Sequence, residues 1–514
     1  MPPMKIMKSN DIKPNLDLTA CSLINSRALG KTGYTVSAAG FGCYRVDAAS
    51  QTHRDAMVNA LRAGINVIDT SANYMDGGSE LLTGSVMREL IGGGEMKRGD
   101  IVVVTKGGYI QGKNYEASAA RKKEGAPWPD LVEYADGLEH CIHPEFLANQ
   151  IAGSLARLDL EAIDVYLLHN PEYYLMRAEK DGMNVEKARC EYYSRIEKAF
   201  VYLETEVKKG RIKYYGISSN TFPAAAAAYN FTSLGRVISI AENISPDNHF
   251  GVIEFPMNLF ERGAASEKNQ DNGMTLLELA SSKNIGALIN RPLNAFFKGS
   301  LIRLADPRGA DPAGYDFESA GNAINSAVRD LGILEENLLE SIERLSESAR
   351  GKADIIFENV FVHGQLNSKW KEFGNISNFE SFMSGYYSPR AQYFLDNLKK
   401  GVLNDKKAEA EISVYINEAS AVFELIGAYF RVEHLKTVLK IKEKLAAISP
   451  IYSAADDLSD IAVRALAATS GVSSVLVGMR TPDYVAKVAA ALKVGSSEPS
   501  TDWQTLSALE SFDR

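Results

Sequence analysis

The sequence predicts an α/β fold, a (β/α)8 barrel of the TIM type with an inserted, mainly α-helical domain, and three observations predict it. Short apolar runs, several ending in a polar residue, recur through the first part of the chain, and segments with helical spacing follow them. The rhythm stops after Pro292, gives way to helix-like segments from about Ser300 to Ser449, and returns at Asp457. The strand-helix units total about eight, the number that closes a parallel barrel with its functional groups at the C-terminal strand ends. The expected organisation is a tail over 1–25, a first barrel part over 26–299 carrying a hairpin cap and seven strands, a helical insertion over 300–449, and a second barrel part over 450–514.

In chain order, Arg27 to Gly42 gives two extended pieces around Thr32-Gly33, a hairpin leading to a first strand near Phe41-Gly42. Gln51 to Arg62 has helical spacing, and Ile65 to Asp69 is the second strand. A helix from Ser79 to about Leu90 precedes the third strand, Ile101 to Lys106. Tyr109 to Cys141 is a long polar stretch, suited equally to a ligand-end loop and to disorder. Pro144 opens a helix to Leu158, since its fixed φ and missing N–H suit a first helical turn. Strands over Ile163 to Leu168, Ile212 to Ile217, Val252 to Phe255 and Ile285 to Ile289 follow. The helices between them are Ile196 to Lys209, the alanine-rich Pro223 to Tyr229, and Thr275 to Ser282. The insertion reads as helices over Ser319 to Leu331, Glu335 to Ser348 and Arg390 to Lys400, then a long pair from Lys406 to about Leu445. Apolar residues there leave little solvent face, so the insertion buries a core of its own. Asp457 to Ala468, the eighth strand Val472 to Val477 and the helix Pro482 to Ala491 complete the set.

The totals bound the function. With 514 residues, 45% of them hydrophobic, and a formal charge of −9, the chain is an ordinary globular one, and nucleic acid is an unfavoured partner. Four well-separated cysteines without a CxxC pair suit a reducing compartment. The N-terminus has no continuous apolar run, and eighteen successive apolar residues occur nowhere, so neither signal peptide nor membrane span is expected and a cytoplasmic location is.

The chemistry centres on Gly64 to Tyr74, GINVIDTSANY. Its buried strand ends in Asp69, and a buried carboxylate requires a cation or several donors. Lys106 ends the next strand and His169 the one after, so Asp69, Lys106, His169 and nearby Tyr74 are expected in one site at one end of the sheet.

These residues carry a resemblance. GKTGYTVSAAGFG, INVIDTSANYMDGGSELLTG, VVVTKGG, SLARLDLEAIDVYLLHNPE, LETEVKKGRIKYYGISSN and SVLVGMRTPDYV together resemble the aldo-keto reductases, NAD(P)H-dependent oxidoreductases on a (β/α)8 barrel. The resemblance spans about Arg27 to Leu293 and Ile451 to Ala491. It implies a catalytic tetrad of Asp69, Tyr74, Lys106 and His169, and nicotinamide-carboxamide contacts at Ser219 and Asn220. The third such position, usually glutamine, is Glu254, which can accept from the amide nitrogen but not donate. The position that often stacks an aromatic ring on the nicotinamide matches Asn290, and the adenosine-phosphate loop matches Gly478 to Arg480. NADP is the implied cofactor, with NAD also compatible. The insertion has no counterpart in the family pattern; leaving from the end of strand seven, it is expected beside the substrate opening.

On this reading Tyr74 gives a proton to a carbonyl oxygen, Lys106 lowers the phenol's pKa, Asp69 holds the lysine, and His169 orients the oxygen. Plainer roles exist for each. Asp69 and Lys106 suit a structural ion pair, Tyr74 and His169 ordinary packing, and Ser219 and Asn220 the capping of the next helix. Arg480, before a helix start, suits a phosphate and equally a surface carboxylate. No metal site is expected: His140, Cys141, His143 and Glu145 have ligand-like spacing but no second cluster. The function expected is interconversion of a carbonyl (aldehyde, ketone or sugar) and its alcohol. The alternative is a cofactor-binding regulatory or scaffold protein that uses the insertion to hold a protein partner. Oligomeric state is open.

Overall fold

The computed structural model describes residues 24–343, 360–400, 405–449, 451–495 and 500–511. Of the expected tail, all but Ile24 and Asn25 lies outside these residues. The chain divides into two compact units, one formed by 1–297 with 460–507 and the other by 298–459 with 508–514.

The first unit is a closed barrel of eight parallel strands: Ala39–Gly42 (β1), Val67–Asp69 (β2), Val102–Gly107 (β3), Ile163–His169 (β4), Ile212–Ser218 (β5), Phe250–Pro256 (β6), Gly286–Asn290 (β7) and Ser474–Val477 (β8). Each strand pairs with its predecessor in sequence, and β8 closes the ring on β1 through Val475–Ala39 and Val477–Phe41. The last interval differs from the rest, because residues 298–459 lie in sequence between Leu288 on β7 and its partner Ser474 on β8.

Strand side chains alternate between faces, so the interior layer reveals what lies above it. Val67, Val102, Val104, Val165, Leu167, Val252, Leu288 and Leu476 form one buried cluster with Leu29 and Val36 of the N-terminal hairpin, Arg27–Ala28 paired with Thr35–Val36. Two residues further along, the inward positions are Asp69, Lys106, His169, Glu254 and Asn290. Gly216 gives β5 its close approach to β6: a Cβ there would collide with the carbonyl oxygen of Val252.

Three local expectations differ from the structure. Residues 223–229 form turns rather than a helix, and the helix of that unit is Leu234–Ile244, capped by Ser233 accepting from the Arg236 N–H. The polar stretch after β3 is ordered as the helix Gly112–Lys123 and a three-stranded sheet of Tyr109–Ile110, Leu138–His140 and Val132–Ala135. Between β4 and β5 lie the helix Tyr173–Lys180 and a second helix, Val185–Lys208. The long pair after Lys406 is one 43-residue helix, Lys406–Ile448, started by Asp405 accepting from the N–H groups of Lys407 and Ala408.

In the second unit the helix Phe317–Glu343 packs along Lys406–Ile448. The sequence reading split it at Leu331 and Glu335; residues 344–348 of that reading lie outside the described residues. Their core contains Ile324, Val328, Leu331, Trp370, Phe379, Ile416, Phe423 and Phe430, all buried. Among the described residues no helix is long and apolar enough to cross a membrane.

Candidate active site

Lys106 stands at the centre of the polar layer and is fully buried, 0% exposed, with Asp69 at 4% and Glu254 at 1%. Its Nζ lies 2.5 Å from Asp69 Oδ1 and 3.1 Å from the Thr70 carbonyl oxygen, to both of which it donates. Glu254 Oε2 is 3.2 Å from the same Nζ, an ion-pair contact without hydrogen-bond alignment. The Glu254 carboxylate is fixed through Oε1, which accepts from Ser218 Oγ at 3.0 Å and Asn290 Nδ2 at 2.8 Å.

Tyr74 enters from the turn after β2. Met75 and Asp76, with φ of 49° and 54°, hold left-handed backbone there, a strained conformation next to the phenol. The Lys106 ammonium lies 5.2 Å from the centre of the Tyr74 ring. Tyr74 meets His169 edge to face, centroids 5.9 Å apart, and also Tyr44, which is 63% exposed, at 5.5 Å. The structure thus brings Asp69, Tyr74, Lys106 and His169 together.

The electrostatics differ from expectation in one respect. Burial pushes the Tyr74 phenol above its ordinary value; Lys106 opposes this, while Asp69 and Glu254 add to it. The expected net lowering by Lys106 is outweighed. Burial works against the Lys106 charge, but Asp69 and Glu254 hold its pKa well above the usual lysine value. Burial, with Glu254 beside it, raises Asp69 well above the carboxylate range. His169 is held well below its usual value by burial and by the charge of Lys106, so it is neutral. Its Nδ1 is 3.0 Å from Ser71 Oγ, and its ring meets Tyr109 at 4.6 Å.

The other positions separate. Ser219 turns away from the layer: its hydroxyl lies 3.2 Å from both Thr221 Oγ1 and Thr232 Oγ1, which link onward to Tyr192. Asn220 is exposed, with its backbone N–H on Glu172 Oε1 at 2.8 Å. Neither caps a helix, because turns follow. Asn290 donates to Glu254 while its Oδ1 is buried without a hydrogen-bond partner. Gly478 and Arg480 are exposed just past β8, where the helix Pro482–Gly495 begins. Of the ligand-like group, His140 Nε2 is hydrogen-bonded to the His169 carbonyl at 2.7 Å, Cys141 Sγ donates to the Pro129 carbonyl, and His143 caps the helix Pro144–Leu158.

Sequence reasoning missed Ser71, Ser218, Tyr109 and Glu172. Ser218 was within reach of the two-residue alternation through Gly216. Glu172 lies three residues beyond His169, is buried, and is raised to about 7 mainly by that burial, with Oε2 unpartnered.

The sequence profile of the aldo/keto reductase family matches residues 40–299. NADH-specific methylglyoxal reductase of Escherichia coli is 29% identical over 149 residues, which are 27% of this chain and 40% of that protein. L-galactose dehydrogenase of Arabidopsis thaliana is 36% identical over 151 residues, 27% of this chain and 43% of that one. The glycerol dehydrogenase structure from Gluconobacter oxydans superposes with a TM-score of 0.44 at 15% identity, covering 95% of this chain and 94% of that one. The chain thus spans 40% and 43% of the two curated relatives.

Proposed function

Since the chain belongs to the aldo/keto reductase family, we propose that it is an NAD(P)(H)-dependent oxidoreductase interconverting a small carbonyl compound and its alcohol, with Tyr74 as general acid and base. The observation that carries this reading is the Tyr74 phenol beside a wholly buried Lys106 pinned by Asp69, with neutral His169 on its other side.

The residues present fit a dinucleotide. The partnerless Asn290 Oδ1 suits an amide N–H of a carboxamide, and exposed Asn220 stands at the same end of the barrel. Arg480, before the first turn of a 14-residue helix, suits a phosphate. The reduced nicotinamide, when bound, supplies the hydride.

The chain's own groups handle the proton. Neutral His169, held through Nδ1 by Ser71 Oγ at 3.0 Å, flanks Tyr74 and orients the substrate oxygen. Tyr74, kept protonated by its burial, delivers a proton to that oxygen as negative charge grows there. Lys106 stabilises the tyrosinate left behind, and Asp69 fixes the lysine. Alcohol oxidation runs through the same groups in reverse.

The named activities of relatives on methylglyoxal and L-galactose support a small, oxygen-rich substrate. Three free cysteines among the described residues support a cytoplasmic location. The test is turnover of an aldehyde, ketone and sugar panel with NADPH and NADH. Tyr74→Phe is expected to lower it by about 10²–10⁴-fold with dinucleotide binding retained. Undiminished turnover in that variant would refute the role of Tyr74, and dinucleotide binding without Tyr74-dependent turnover would favour a sensor.

A further inference from the structure

The barrel mouth sets two carboxylates against one ammonium. Asp69 alone would neutralise Lys106, yet Glu254 brings a second carboxylate to the same ammonium and is nearly as deeply buried as the lysine. It is not there by chance of rotamer, because donors from two neighbouring strands hold it: Ser218 on β5 and Asn290 on β7. Among the described residues, the other titratable groups around the cluster supply no second cation. His169 is neutral, while Tyr74 and the Cys43 thiol on the β1 side stay protonated through burial.

A nicotinamide ring is cationic when oxidised and neutral when reduced. A fixed surplus carboxylate in a water-poor site therefore interacts unequally with the two forms. Asn290 links the feature to the ligand: its Nδ2 donates to Glu254, while its own buried Oδ1 has no partner. We propose that Glu254 sets the redox preference of this site, making it bind the oxidised dinucleotide more tightly than the reduced one. The inference rests on the reading that the chain binds NAD(P)(H). By the thermodynamic cycle, the bound reduced form is then a stronger hydride donor than the free form by the same factor, and the oxidised form is slow to leave.

The experiment is calorimetric titration of the full chain with NADP+ and NADPH. The wild type is expected to bind NADP+ more tightly than NADPH. Glu254→Gln, nearly identical in shape, is expected to shift the affinity ratio toward NADPH by about tenfold or more. Asn290→Ala keeps the carboxylate, so it is expected to weaken both forms alike with the ratio unchanged. A Glu254→Gln ratio equal to the wild-type ratio, or an equal shift in Asn290→Ala, overturns the proposal. Should Glu254→Gln not fold, the wild type decides alone: NADPH bound as tightly as NADP+, or more tightly, overturns it. Binding of neither dinucleotide to the wild type overturns the underlying reading instead.

Discussion

The two units bury opposite kinds of residue. At the mouth of the barrel, Asp69, Lys106, Glu254 and Glu172 are all withdrawn from water, although isolated charges there are costly. In the helical unit the buried set is aliphatic and aromatic, with Phe423 against Tyr387 at 4.4 Å and Phe382 at 5.8 Å. Polar atoms at that core include Tyr415 OH, which donates to Glu335 Oε1 at 2.5 Å, and Trp370 Nε1, which donates to Asn325, while the Tyr387 hydroxyl is buried without a partner. Packing holds the helical unit together, whereas the barrel mouth maintains charges that packing alone would exclude. Substitutions should therefore register as chemistry in one unit and as stability in the other.

The sharpest division comes from Lys106→Met. It leaves two buried carboxylates without their cation, so carbonyl turnover should fall by about 10³-fold or more. The barrel should also lose about 3–5 kcal/mol in urea unfolding. Full retention of turnover would break the comparison at its centre. Phe423→Ala should remove about 3–5 kcal/mol from the helical unit through the cavity it leaves. Turnover per folded molecule should not change, and a loss there would show that packing and chemistry are not separately housed.

A smaller effect is expected at Glu172, whose raised carboxyl retains a proton that the unfolded chain gives up. Its contribution to stability is complete below pH 4.5 and is lost as pH rises toward about 7. Glu172→Gln should flatten that slope, leaving the protein about 2–3 kcal/mol more stable relative to wild type at pH 8 than at pH 4. Thermal melts at the two pH values check this, and parallel curves for both proteins would contradict it.

Much of the site could be read from the chain because strand alternation is simple. In the runs ending at Asp69, Lys106 and His169, the polar residue stands two places beyond an inward apolar one, so its direction follows from the pattern. The same alternation turns Glu254 inward, two places beyond Val252, but not toward any particular partner. Its approach to Lys106 depends on the registers of strands that are not neighbours in the barrel, which no local spacing records. The Tyr74 phenol misled for a related reason: an ammonium lowers a phenol's pKa, but the depth of burial that outweighs it appears only after folding. Alanine content suggested a helix at 223–229, yet none of these residues is buried, so no packing offsets the cost of helix nucleation. Buried Phe222 and Phe231 anchor its two ends instead. The single helix from Lys406 to Ile448 reads as two in the sequence because its apolar residues shift face along its length.

The pairing of β7 with β8 has a consequence for the birth of the molecule. Leu288 and Ile289 leave the ribosome well before Ser474 and Val475, the strand they are to join. At typical synthesis rates the delay is on the order of ten to forty seconds. During that interval β7 and β1 are two unsatisfied sheet edges on an unclosed barrel, the kind of surface that invites association with other chains. Nascent copies truncated before Ser474 should therefore aggregate more readily than the finished protein.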